Sequence, residues 1–352
     1  MPRLRFAGPV SLRISSLLAL NGIALATYFR RALGHRMEPS WNAELEIGVR
    51  FWRHQFTLAM QAPDIGRGRA ILDSLQTETS DTYDVTTRTE NEPPGTWYLP
   101  RDAKSSATLL YFHGGGYAFH GAMSRRYAEM LAHRLGARLF APDYRLTPEH
   151  PHPAQAEDAM TAWEFLTRQE EPGKIVLVGD SAGGHMVLML LQALKAAGRP
   201  QPAIAIGLCP WTDVGDSGGS LHANDRYDLV QGWMSLQFGQ WLDPGGRTGR
   251  EAISPIAQDF RGVAPLYLQA GGREILHDMI EVFARKQKDA GADLMLDVWP
   301  DMPHDFQLFD STQQSSSEAL DRIARCVHHK VDKSTDFGPC QRTAVAAAKS
   351  AR

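Results

Sequence analysis

Lys174-Ile175-Val176-Leu177-Val178 runs into Gly179-Asp180-Ser181-Ala182-Gly183-Gly184, and a helix-forming apolar stretch follows as far as Ala197. A short run of β-branched and aliphatic residues predicts a buried strand, and the longer stretch behind it a helix. Between them a G-x-S-x-G pattern has to turn the chain sharply. The turn holds Ser181 in a strained backbone conformation, with its hydroxyl pushed out beyond the strand end. Gly179 and Gly183 flank it because side chains there would collide across so tight a turn. The new helix points its N-terminal amides and dipole at the same spot, which suits a site where negative charge develops.

Working outward, the same alternation repeats. Apolar runs occur at Ala107–Phe112, Arg138–Pro142, Ala203–Leu208, Pro265–Gln269 and Leu294–Trp299, and helical patterns at Arg125–Leu135, Ala154–Arg168 and Ile275–Ala290. Strands that alternate with helices predict an α/β fold with a mostly parallel central sheet and helices on both faces. Ligands of such sheets bind beyond the carboxyl ends of the strands. Asp213 to Gly262 breaks the alternation and reads as an insertion that roofs the site. Pro39 to Leu75 reads as helical, with Leu45, Val49 and Trp52 at helical spacing. Thr77 to Gly95 reads as strand edge and turn.

Each candidate for chemistry sits at a strand end. His113-Gly114-Gly115-Gly116-Tyr117 follows the strand Ala107–Phe112 directly. A glycine run there lets backbone amides approach a developing oxyanion closely. Gly115, Gly116 and Ala182 are the expected donors, with Gly114 a further candidate, and His113 is expected to orient the loop. A phosphate-binding loop would need a Lys-Ser/Thr ending that is absent. The acid and the histidine of a serine triad follow the serine in this order of chain. Glu274 follows the strand Pro265–Gln269 in Gly271-Gly272-Arg273-Glu274, and His304 follows Leu294–Trp299 in Pro300-Asp301-Met302-Pro303-His304-Asp305-Phe306. Asp278 and Asp301 are the rival acids. Asp278 falls a turn inside the next helix, and Asp301 shares the loop of His304. The aromatics Tyr117, Phe119, Trp211, Trp233 and Trp241 are expected to line the substrate pocket and to favour acyl chains of about eight carbons or fewer.

HGGGY, GDSAGG and the stretch from Asp143 to Pro153 together resemble the hormone-sensitive lipase-like (bacterial type IV) carboxylesterases, over about residues 39–327. The Glu274 and His304 segments look most similar to acetylhydrolases and ε-lactone hydrolases. The resemblance implies an α/β-hydrolase fold with an N-terminal helical cap. It also implies a serine carboxylesterase without a cofactor, acting on short- to medium-chain acyl esters. Two departures stand out. Arg273-Glu274 occupies the place where that family usually carries Asp, and the first forty residues have no counterpart in it. Lactone or amide hydrolysis on the same triad is the alternative. A non-catalytic relative that only binds a small ligand is disfavoured, because both acid and histidine candidates are present.

Other signals mislead. Gly215-Asp216-Ser217-Gly218-Gly219 mimics the nucleophile loop of trypsin-like proteases, but no strand, turn and helix surround it. His150 and His152 sit between prolines in what reads as a rigid turn, with no matching set of metal ligands. The three cysteines, Cys209, Cys326 and Cys340, are too few and too scattered for a disulfide framework or a structural zinc. A net charge of -3 without a long like-charge run argues against nucleic acid as a partner. The expected partner is a small ester or lactone, and no metal is expected. A homodimer is left open.

The division expected along the chain is an extension (1–38), a cap (39–85), a catalytic domain (86–332) and a loose tail (333–352). Within the extension, Ile14–Phe29 is apolar, with Arg3, Arg5 and Arg13 before it and Arg30 and Arg31 after it. Three readings stay open. It is a packing helix of a cytoplasmic protein, an interfacial amphipathic helix, or a secretory signal with Ala24-Leu25-Ala26 as its cleavage pattern. The stretch is shorter than the roughly 20 residues that span a bilayer.

Overall fold

The computed structural model describes residues 3–78 and 83–338. The chain opens with β1 (Arg3–Phe6), α1 (Val10–Ala32), α2 (Ala43–Met60), α3 (Ile65–Asp73) and β2 (Leu75–Glu78). It continues through β3 (Val85–Asn91), β4 (Pro94–Pro100), β5 (Thr108–Phe112), α4 (Ala122–Leu135), β6 (Arg138–Pro142), α5 (Ala154–Thr167), β7 (Ile175–Asp180), α6 (Ala182–Ala196) and β8 (Ile204–Leu208). The short helices α7 (Ser220–Ala223), α8 (Gly232–Leu242) and α9 (Arg250–Ile253) come next. Then follow β9 (Leu266–Gly271), α10 (His277–Asp289), β10 (Leu294–Trp299) and α11 (Gln314–Val327).

Eight strands form the central sheet in the order β10-β9-β8-β7-β5-β6-β4-β3, and β1 pairs with β2 in a separate ribbon. All neighbours from β6 to β10 run parallel, while β4 is antiparallel to both β6 and β3. The two-residue period of a strand sends alternate side chains to opposite faces. In β5 and β7, Leu110, Phe112, Ile175 and Leu177 join one core with α5, α6 and α10. Leu109, Tyr111, Val176 and Val178 join the other with α4 and α11. Burial on both faces is why these strands read as unbroken apolar runs.

The N-terminal region departs from its sequence reading in three ways. The helical stretch from Pro39 divides into α2 and α3, with Pro63 between them and Asn42 and Asp64 capping their first turns. The expected boundary at residue 85 falls on the first residue of β3. The apolar segment is longer than expected: α1 runs 23 residues, between Pro9 and Gly34, and is long and apolar enough to cross a membrane. Ser11 and Arg13 do not break it, since polar side chains on an outer turn cost a helix little.

At the other end, Cys340 and residues 339–352 lie outside the described residues. The first part of the expected tail is anchored, because Phe337 packs edge-on against Tyr267 with ring centres 5.1 Å apart.

Candidate active site

β7 ends at Asp180, and Ser181 follows with φ 52° and ψ −116°, in the left-handed region that few residues besides glycine adopt. Its amide donates to Leu208 O at 2.9 Å, and its carbonyl accepts from Trp211 N at 3.0 Å, so neighbouring segments hold the strained conformation in place. A Cβ on Gly183 would lie 1.9 Å from Phe112 O, and one on Gly179 2.3 Å from the Gly183 backbone. Glycine is therefore required on both sides of the serine.

His304 and Glu274 meet from the loops after β10 and β9. His304 Nδ1 donates to Glu274 Oε2 at 2.7 Å, and the other oxygen of Glu274 accepts from Gly271 N at 2.7 Å. Both side chains are buried. The pair fixes the imidazole tautomer and leaves Nε2 as the nitrogen free to take a proton. His304, Ser181 and Asp305 line one cavity of about 780 Å³. Ser181 Oγ makes no hydrogen bond among the described residues. A contact between nucleophile and base commonly tightens when a substrate binds.

Burial disfavours the protonated imidazole of His304, but the carboxylates of Asp305 and Glu274 outweigh it and hold its pKa above the ordinary value. Asp305 Oδ2 lies 3.4 Å from Nε2. Its own carboxyl is pushed well above the usual range by burial, against the pull of His304. Glu274 and Asp228 add to the upward direction at His304.

The oxyanion loop differs from expectation at one position. Gly114 N donates to Asp180 Oδ2 at 3.0 Å, so this amide is committed to the elbow and is removed from the set of oxyanion donors. The amides of Gly115, Gly116 and Ala182 have no acceptor among the described residues. Gly115 and Gly116 have φ of 95° and 62°, and this left-handed turn presents their N–H groups together. His113 orients the loop: its Nδ1 donates to Gly114 O at 2.7 Å, and its ring stacks on Tyr144 at 4.3 Å. Burial, reinforced by nearby His120, holds its pKa well below the ordinary value, so it stays neutral.

Of the five predicted pocket aromatics, Phe119 and Trp211 line the cavity. Tyr117, Trp233 and Trp241 do not. Tyr117 is buried beneath the loop, where its hydroxyl donates to His185 Nδ1 at 2.6 Å. Trp233 lies on the surface and Trp241 packs beside Phe238. The walls come instead from Phe51, Trp52 and Phe56 of α2 and Phe238 of α8. Sequence reading took the stretch of α2 for part of a helical cap, and its apolar period alone could not say which side chains face a cavity. Phe119 and Trp211 share the cavity of about 780 Å³ with these four residues.

Three acids escaped notice. Asp180 accepts from Tyr111 OH at 2.6 Å as well as from Gly114, joining elbow, strand and loop. Burial raises its pKa to about 6, although these hydrogen bonds pull the other way. Its place inside the GDSAGG motif was the available signal. Asp228 accepts from Ile275 N and Leu229 N, both at 2.7 Å, and braces the segment that carries Glu274. Asp305 is the third, and its Oδ1 is buried without a hydrogen-bond partner.

The rivals have other duties. Asp278 accepts from Ser220 N at 2.9 Å and belongs to α10. Asp301 offers its carbonyl to Trp41 Nε1 at 2.5 Å. Ser217, in the protease-like string, accepts from Arg250 at 2.7 Å. Cys209, His304 and Asp305 place ligand atoms within 4.8 Å of one another. A cation held there would occupy the His304 imidazole.

A profile of the alpha/beta hydrolase fold matches residues 109–308. The chain belongs to the α/β-hydrolase family. It is 35% identical to an acetyl-hydrolase of Streptomyces hygroscopicus over 59% of this chain and 70% of the relative. It is 31% identical to an esterase of Acinetobacter venetianus over 63% and 75% of the two chains. Among solved structures, an esterase of the bacterial hormone-sensitive lipase family superposes with a TM-score of 0.68 at 29% identity, over 89% of this chain and 98% of that one. A hormone-sensitive lipase from a metagenome library gives 0.70 at 26% identity, over 80% and 97%.

Proposed function

We propose that this α/β-hydrolase is a serine carboxylesterase that cleaves short- to medium-chain acyl esters, with Ser181, His304 and Glu274 as its triad and α1 to α3 as a cap over the core. The observation that carries the reading is the buried 2.7 Å pair of His304 and Glu274, opening on the cavity that also holds Ser181. His304 Nε2 takes the Ser181 proton as Oγ attacks the ester carbonyl. Gly115, Gly116 and Ala182 donate their amides to the oxyanion. His304 then protonates the departing alcohol, leaving an acyl group on Ser181. Water gives a proton to His304, attacks the acyl carbon and releases the acid as Ser181 recovers its proton. Glu274 keeps the imidazole oriented and balances its charge without itself taking the proton.

The relatives named acetyl-hydrolase and esterase support ester over amide cleavage. The test is a p-nitrophenyl ester series run beside lactones and anilides, with Ser181→Ala as control. Turnover of the esters that Ser181→Ala abolishes supports the reading. Turnover of lactones or anilides alone, or activity that survives the substitution, contradicts it.

A further inference from the structure

The outer side of α1 is apolar where a soluble helix should be polar. Val10, Ile14, Leu18, Leu25 and Phe29 recur at spacings of four and seven residues, so they share one stripe. Val10 is 66% exposed, Leu18 67%, Leu25 73% and Phe29 67%. At 1.5 Å per residue the stripe is roughly 28 Å long. A continuous apolar strip of this kind is uncommon on a soluble monomer and marks an interaction surface.

The opposite side of α1 is committed to the protein. Ser16 Oγ bonds Ser74 Oγ at 2.7 Å and accepts from Gln55 Nε2 at 2.8 Å, all three buried. A helix crossing a bilayer alone would expose Ser16 to hydrocarbon, so this contact argues for a helix lying on its domain. Arg31 of α1 also pairs with buried Glu46 of α2 at 2.8 Å.

Charge identifies what covers the stripe. Residues 1–37 contain six arginines and no aspartate or glutamate, in a chain whose net charge is -3. Arg5, Arg30 and Arg36 are exposed at the two ends of α1. Apolar residues between clusters of arginine match a bilayer with an anionic headgroup layer. A second copy of this chain would bring the same arginines against one another. We propose that the outer face of α1 docks flat on an anionic phospholipid surface.

The cavity lies beside this face. Asn21 and Tyr28 of α1 line the cavity and are themselves exposed, so they mark its mouth on the flank of the stripe. Resting on the esterase reading, this places the entrance where an ester dissolved in the lipid can enter without crossing water.

The test is co-sedimentation of the full chain with vesicles of phosphatidylcholine and phosphatidylglycerol in equal parts, beside vesicles of phosphatidylcholine alone. The expected result is binding to the mixed vesicles that salt weakens, and a loss of about tenfold or more in Leu18→Glu/Leu25→Glu. Neither leucine lines the cavity, so this variant should keep its rate on soluble p-nitrophenyl butyrate, which also reports that it is folded. A wild type that ignores both vesicles overturns the proposal, as does a variant that binds as well as the wild type. So does a wild-type dimer that the variant dissociates, with no vesicle binding in either. If the wild type binds vesicles but hydrolyses no ester, the docking stands and the esterase reading falls.

Discussion

The serine elbow and helix α1 are both rich in small and apolar residues, yet they solve opposite problems. At the elbow each group is held by the fold. Ser181 is strained and hydrogen-bonded through its backbone, Asp180 ties it to the loop before it, and Glu274 and His304 are buried together. On α1, Ser16 and Thr27 are the buried residues, and the outer apolar side chains are largely exposed. The proposed chemistry stabilises developing charge, which demands preorganised partners like those at the elbow. If α1 docks on a lipid surface as proposed, its contacts lie outside the molecule.

If that contrast is right, substitutions at the elbow should change rate without changing docking. The largest effect is expected at the nucleophile. Ser181→Ala should lower kcat by about 10⁴–10⁶-fold, whereas Ser217→Ala should stay within a factor of two or so of wild type, as measured on p-nitrophenyl butyrate. Next comes the acid. Glu274→Gln should remain folded by circular dichroism and lose up to about 10⁴-fold in kcat. Asp278→Asn removes only the contact with Ser220 and should keep most of the rate. A slow Asp278→Asn beside a normal Glu274→Gln would transfer the orienting role to Asp278.

The elbow was legible because its chemistry leaves little choice of residue. Gly179 and Gly183 flank the serine for want of space, so spacing could place Ser181, Ala182, Gly115 and Gly116 at adjoining strand ends. That Glu274 and His304 leave neighbouring strands followed from strand order, and the structure brings them to 2.7 Å; their roles belong to the proposal. Gly114 was misassigned because the partner of its amide, Asp180, is 66 residues away in the chain. Tyr117, Trp233 and Trp241 were misplaced for a related reason. An aromatic residue looks the same in sequence whether it faces a cavity, a neighbouring helix or water. The six strands β5 to β10 were legible to within a few residues, because burial gives most of them an unbroken apolar run, whereas the mostly exposed, polar β3 and its partner β4 were not read as a pair of strands. For α1 the apolar content was visible and left three readings open, among them an amphipathic helix; which side meets the domain was not visible, since that depends on where Ser74 and Gln55 stand.

Smaller effects probe the edges of the comparison. In the proposed mechanism His304 must be neutral to accept the serine proton, and its pKa is held above the ordinary 6.5 by Asp305 and Glu274 against the effect of burial. Activity should therefore fall as pH drops, with the midpoint of kcat/KM above 6.5. A midpoint below 6.5 would mean that the carboxylates do not act on His304 as described. The smallest effect is expected where α1 meets the domain. Ser16→Ala leaves Gln55 Nε2 without its acceptor and should cost about 1 kcal/mol in urea denaturation while the rate on a soluble ester is unchanged. A large loss of kcat from that substitution would join the two regions that the comparison separates.

The central claim is that Ser181 is the nucleophile, and a covalent label tests it most directly. The protein is treated with a fluorophosphonate and digested, and the modified peptide is sequenced by mass spectrometry. The account predicts one adduct per chain, on the peptide containing Gly179 to Gly184 and at Ser181, absent from Ser181→Ala. An adduct on Ser217, or none on a chain that still hydrolyses ester, would contradict it.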